Sequence, residues 1–276
     1  MAVFAERRVE IKTPDQLCSM RRAGLVVCGT LELVRQRLRP GMTTADLDAL
    51  AREHIRASDA VPSFLGYHGF PGSLCVSVND EVVHGIPGPR LLADGDVVSV
   101  DCGAVVDGWH GDAAVTVALG DVSPAVEALL TVTDDALWQG IGAVRPGGRV
   151  SDVSAAVESY VASRGLPTLG IVEDYVGHGI GSLMHQPPPV PNRGRPGRGP
   201  RLVSGIALAI EPMLVLGDPE TTVLDDDWTV VTSAGSVAAH FEHTVALTER
   251  GVWVLTAPDG GRERLAAMGL PYGGLD

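Results

Sequence analysis

The chain has 276 residues, 45% hydrophobic and 20% charged, a composition that can bury a substantial core and excludes disorder as the main state. With 21 Lys+Arg against 34 Asp+Glu the formal net charge is −13, the wrong sign for non-specific binding to nucleic acid or an anionic membrane. Cys18, Cys28, Cys75 and Cys102 form no C-x-x-C pair, which excludes a zinc ribbon or dithiol motif and favours a reducing compartment.

Residues 1–12 carry charges where a signal peptide needs an apolar run, and no stretch approaches the roughly 18 apolar residues of a membrane span. A cytoplasmic location is therefore expected. The first helix opens with Thr13 as N-cap, Pro14 at its first position and Gln16 placed to complete a capping box. Leu17, Met20, Val27, Leu31, Val34 and Leu38 then recur at helical spacing. After Arg39-Pro40-Gly41 a second helix is predicted over 44–57.

Residues 97–119 read as a β-hairpin turning at Asp107-Gly108. That register sets position 101 opposite 114, so Asp101 and Asp112 become diagonal neighbours on one face. Two carboxylates among buried valines repel each other and lose hydration, a conflict that a divalent cation would relieve.

The second half repeats this plan. A helix opens at Ser123-Pro124 and runs through Val126, Leu129, Leu130 and Leu137 toward Val144; after Arg145-Pro146-Gly147 another spans about 152–164, ended by Gly165. The two Arg-Pro-Gly segments are related by 145 − 39 = 106 positions, and 95–101 matches 205–211 at 205 − 95 = 110. His84-Gly85-Ile86 likewise echoes His178-Gly179-Ile180. An internal duplication follows: one domain over 13–256 with halves at about 13–120 and 121–256, preceded by a short extension (1–12) and followed by a tail (257–276). Residues 186–201, rich in Pro, Gly and Arg, are expected to form an ordered surface loop without secondary structure.

Glu211 ends the apolar run Ile206–Ile210, Glu242 lies in a strand-like segment from Ala238 to Leu247, and His178 sits among glycines that leave its ring accessible. With Asp101 and Asp112 these give four carboxylates and one imidazole, too oxygen-rich for a structural zinc site and suited to a pair of divalent ions sharing carboxylates.

Asn79-Asp80-Glu81-Val82-Val83-His84-Gly85-Ile86-Pro87, Val100-Asp101-Cys102-Gly103, Gly177-His178-Gly179-Ile180-Gly181, Ile210-Glu211-Pro212-Met213 and Phe241-Glu242-His243-Thr244 together resemble the type I methionine aminopeptidases of peptidase family M24, over roughly residues 10–255. The resemblance implies the α+β pita-bread (creatinase/aminopeptidase) fold, with two pseudo-twofold-related halves around a central antiparallel sheet and helices on its outer face. It implies a hydrolase holding two divalent ions (Co, Mn, Fe, Ni or Zn) on Asp101, Asp112, His178, Glu211 and Glu242, with Asp112 and Glu242 bridging. It further implies that water activated by the ions attacks the first peptide bond. His185 would contact the scissile carbonyl, His84 the amide nitrogen, and Glu211 would act as general base. Tyr67, Phe70, Cys75 and Trp228, with Phe64 and Met184 nearby, would take the methionine side chain, whose thioether suits aromatic and sulfur-bearing walls. The substrates implied are nascent polypeptides with an N-terminal Met before a small residue, and the enzyme is expected to be a monomer with transient ribosome contact at most.

Phe70, Met184 and Gln186 depart from the family's more usual residues without removing a ligand. Two other readings stand beside this one: a peptidase of the same fold that cleaves before proline, and a non-catalytic binding protein on the same scaffold. The former generally carries a large N-terminal domain, and the latter should have lost ligands that are all present here.

Overall fold

Thr13 starts helix α1 (Pro14–Arg37): its Oγ1 accepts from Gln16 N at 3.4 Å, while Gln16 Oε1 accepts from Thr13 N at 2.8 Å. Thr43 and Asp46 form the same reciprocal cap at the start of α2 (Thr44–Ala57). The chain is known from a computed structural model that describes residues 9–164 and 169–275. Its second half supplies α3 (Pro124–Gly142), capped by Ser123, and α4 (Val150–Ser163). The helix stop expected at Gly165 lies outside the described residues, as do residues 1–8 of the N-terminal extension.

A nine-stranded sheet, antiparallel throughout, joins the halves. Its order is Val61–Pro62, Val97–Val106, Trp109–Ala118, Glu242–Leu247, Ala207–Ile210, Gly177–Gly179 and Gln186–Val190. Leu74–Val78 also pairs with Val97–Val106, and Val252–Val254 with Glu242–Leu247. The halves meet where Glu242 faces Ala114 and His243 faces Ala113. Asp107 and Gly108 take φ values of 50° and 79°, the left-handed pair of a tight hairpin turn, and this sets Asp101 opposite Ala114 and Gly103 opposite Asp112. Each half buries its own apolar cluster between helices and sheet, one with Val27, Leu31, Leu47, Val98 and Val100, the other with Leu137, Ile141, Val153, Leu208 and Val245. This is the pita-bread architecture, two like halves with helices outside a central antiparallel sheet.

The duplication is visible in backbone detail. Gly41 N donates to Leu92 O at 2.8 Å and Gly147 N to Leu202 O at 3.0 Å, while Gly95 and Gly205 turn at φ values of 87° and 90° into their strands. One sequence echo does not correspond in space. His178 stands opposite Ala209, whose partner at a shift of 110 is Ser99, and Ser99 faces Ser77. The counterpart of His178 is therefore Ser77, and His84 lies in the loop beyond the neighbouring strand, at a φ of 60°.

Three further segments differ from expectation. Residues 186–190, read as loop, form a strand despite their prolines, because the strand lies at the sheet edge, where a missing N–H leaves no partner unpaired. The strand-like run 238–247 is broken at Phe241: Ala238–His240 pairs with Met213–Val215, and Glu242–Leu247 enters the main sheet. The tail is packed rather than trailing: it holds the short helix α5 (Arg262–Ala267), with Leu265 fully buried, and Tyr272 bridges to Val252.

Close packing of α1 needs glycine twice, once against the hairpin and once against the chain just after Val252–Val254. A Cβ on Gly111 would stand 2.7 Å from Gly24 N, and one on Gly24 would stand 2.2 Å from Leu255 O. No helix among the described residues is long and apolar enough to cross a membrane.

Candidate active site

The hairpin brings Asp101 and Asp112 to the seam between the halves, and the strand ends of the second half bring Glu211 and Glu242 to the same place. Thr244 locks the seam: its Oγ1 accepts from Asp112 N at 3.0 Å and donates to Asp112 O at 2.8 Å. Asp112, Glu242 and His178 are buried, at 3%, 2% and 5% exposure. His178 Nδ1 lies 3.0 Å from Gly179 O, the geometry of an Nδ1–H donor, which leaves Nε2 to face Glu211 Oε1 at 3.6 Å and Asp112 Oδ2 at 3.9 Å. One set of atoms with ligand spacing is Asp112, His178 and Glu242.

Asp101 Oδ1, Asp112 Oδ1 and Glu242 Oε1 are buried without a hydrogen-bond partner. Burial pushes Asp101 from an ordinary 3.8 to about 7 and Glu211 from 4.5 to about 7. Burial first, and then the neighbouring carboxylates, also raise Asp112 and Glu242 well above their ordinary values. Orphaned, mutually repelling oxygens in one buried place are costly in a metal-free chain, a cost that divalent ions would relieve. A donor set of carboxylates plus imidazole fits hard-to-borderline cations.

Beside this cluster lies a cavity of about 150 Å³ lined by Phe64, Tyr67, Phe70, Cys75, His84, Met184, His185 and Trp228 together with Asp101, Asp112, His178, Glu211 and Glu242. All thirteen residues assigned to the site from the sequence thus line one cavity. An apolar cavity of about 150 Å³ accepts a guest the size of benzene. Phe64, Phe70, Cys75 and Met184 form a buried group, with Trp228 edge-on to Phe70 at 5.1 Å. His84 lies edge-on to Trp228 at 6.3 Å, and burial lowers its pKa to about 4, so the ring is neutral at pH 7. His185 is exposed at the mouth; its Nδ1 shares a hydrogen bond with Tyr67 OH at 3.0 Å and its ring lies 4.2 Å from that of His178.

Two residues had no assigned role in the sequence. Glu10 accepts from Ser182 N at 3.1 Å, Ser182 Oγ at 2.6 Å and Gln186 Nε2 at 2.9 Å, so it clamps the loop that carries Met184 and His185. Nothing in the sequence pairs position 10 with position 186. His240, 2% exposed, sets Nε2 at 3.6 Å from Glu211 Oε2 and 3.9 Å from Glu242 Oε2. Its signal was strand alternation, which puts position 240 on the face of 242.

The Metallopeptidase family M24 profile matches residues 18–249. The methionine aminopeptidase of Clostridium acetobutylicum is 49% identical over 247 residues, 89% of this chain and 98% of that protein. Methionine aminopeptidase 1 of Mycobacterium tuberculosis is 52% identical over 254 residues, covering 91% and 96%. The crystal structure of methionine aminopeptidase from Rickettsia prowazekii superposes with a TM-score of 0.88 at 37% identity, covering 91% of this chain and all of that one, 100%.

Proposed function

This chain belongs to metallopeptidase family M24, among its methionine aminopeptidases, and on that premise we propose that it removes the N-terminal methionine of nascent proteins and peptides whose second residue is small. The observation that carries this reading is the two-sided cavity: an aromatic and sulfur-bearing wall for one unbranched side chain, facing a buried cluster of carboxylates and imidazole. Asp101, Asp112, His178, Glu211 and Glu242 would hold two divalent ions. When bound, the ions act as Lewis acids and lower the pKa of a water from 15.7 toward about 7.

The chain's own residues then have distinct tasks. Phe70, Trp228, Cys75, Met184, Phe64 and Tyr67 seat the methionine side chain and exclude water from it. His185, steered through its Nδ1 by Tyr67 OH, is assigned Nε2 contact with the scissile carbonyl. His84, neutral at pH 7, can donate a hydrogen bond to the amide nitrogen as the bond breaks. Glu211 is the assigned general base, taking the proton of the attacking water and returning it to the leaving amine. The free α-amino group of the substrate would meet the metal centre, which restricts cleavage to a chain end. We place the enzyme in the cytoplasm as a monomer, where nascent chains present their first residue.

The test is hydrolysis of Met-Ala, Met-Glu and Ala-Pro peptides by chelated enzyme reloaded with Co2+, Mn2+, Fe2+, Ni2+ or Zn2+. Cleavage of Met-Ala well above Met-Glu, lost on chelation, supports the reading. Preference for Ala-Pro, or activity unaffected by chelation, would overturn it.

A further inference from the structure

We propose that His240 is a sixth protein ligand of the metal centre, so that the ions are held by two imidazoles. The inference rests on the metal-dependent reading above and adds a residue that reading does not include.

The geometry of His240 repeats that of His178. Each presents Nε2 at 3.6 Å from an oxygen of Glu211, His178 to Oε1 and His240 to Oε2. Each stands 3.9 Å from a second carboxylate, Asp112 for His178 and Glu242 for His240. These separations exceed a hydrogen bond, whose N···O distance is about 2.9 Å. They are close to the edge of a ligand shell: two donors each about 2.1 Å from one ion stand about 3.4 Å apart at the tetrahedral angle. Glu211, His240 and Glu242 together offer ligand atoms within 4.8 Å of one another, a second set that shares Glu242 with the set containing His178.

His240 Nε2 is buried and has no hydrogen-bond partner. Such an atom has lost its water without a replacement unless something binds it. Its backbone is held firmly: His240 N donates to Thr116 Oγ1 at 2.9 Å, and Thr116 Oγ1 donates to His240 O at 2.7 Å. Thr116 Oγ1 also lies 2.8 Å from Ser99 Oγ, tying the residue to the hairpin that carries Asp101 and Asp112. The break at Phe241 produces this placement, because it sends Ala238–His240 into one sheet and Glu242 into another while both side chains reach the seam.

The experiment is Co2+ titration of chelated wild-type protein and of His240→Gln, with X-ray absorption and the visible d–d spectrum as readouts. If His240 is a ligand, wild type binds about two imidazoles per chain and the variant about one. The variant should also bind its weaker Co2+ at least about tenfold less tightly, with a changed spectrum. About one imidazole per chain in the wild type would overturn the proposal whatever the folding of the variant. A variant with unchanged Co2+ affinity and spectrum would also overturn it, because Gln keeps an N–H for Glu211 and would reveal a hydrogen-bonding role only. Absence of stoichiometric Co2+ binding by wild type would instead sink the metal-dependent function itself.

Discussion

Asp101→Asn should abolish strong metal binding and yet make the chelated protein more stable. Asp101 titrates at about 7 in the metal-free fold against 3.8 ordinarily, chiefly because it is buried. Below pH 3.8 both folded and unfolded chains carry the proton, and the wild-type residue costs nothing. As the pH rises toward 7 the unfolded chain ionises first, so stability is lost progressively and the loss is complete once the folded-state value is passed. At 1.36 kcal/mol per pH unit, the interval from 3.8 to about 7 amounts to about 4 kcal/mol. Asn carries no charge and escapes this penalty, and it also relieves Asp112 and Glu242, whose raised values owe part of their shift to the Asp101 charge. With about 2–4 °C per kcal/mol for a chain of this size, the chelated variant should melt about 10 °C above chelated wild type at pH 8. The two should converge near pH 4. Calorimetry across pH 4–8 in chelator provides the measurement, and adding Co2+ should reverse the order by stabilising wild type alone. Equal melting temperatures at pH 8, or a difference that does not depend on pH, would refute the electrostatic account of the site.

Gly24→Ala, ordinarily a gain within a helix, should here cost about 2 kcal/mol because its Cβ would stand 2.2 Å from Leu255 O; an unchanged melting temperature would contradict that contact. Arg21→Met removes hydrogen bonds to Leu255 O, Ala257 O and Pro258 O at 2.7, 2.5 and 2.9 Å. It should lower stability by about 3–5 kcal/mol in denaturant titration, with the metal content of the folded fraction unchanged. Glu10→Gln weakens the clamp on Ser182 and Gln186 and should lower kcat/KM for Met-Ala about tenfold while leaving Co2+ affinity intact. Loss of metal together with activity would instead mean that Glu10 supports the metal centre.

Much of this protein was legible in its sequence, for local reasons. The caps at Thr13 and Thr43 involve residues three apart, and the hairpin's two-residue turn fixes its register, so the pairing of Asp101 with Ala114 followed from counting. The repeat of Arg-Pro-Gly and Gly-apolar-acid segments announced two like halves before any contact was known. Period-two patterning cannot see where a strand changes sheets, and so the break at Phe241 was hidden. It could not distinguish the two histidine-glycine echoes either, since sequence likeness does not report which strand a residue pairs with. The Pro-rich run 186–190 looked like loop because prolines exclude a central strand and give no sign of a vacant sheet edge. The acids and His178 were recognisable by residue type and spacing. What only the tertiary structure decided was which groups join them: Glu10 against Gln186, Thr244 against Asp112, and His240 against Glu211 are contacts made by chain closure, whose partners no local rule selects.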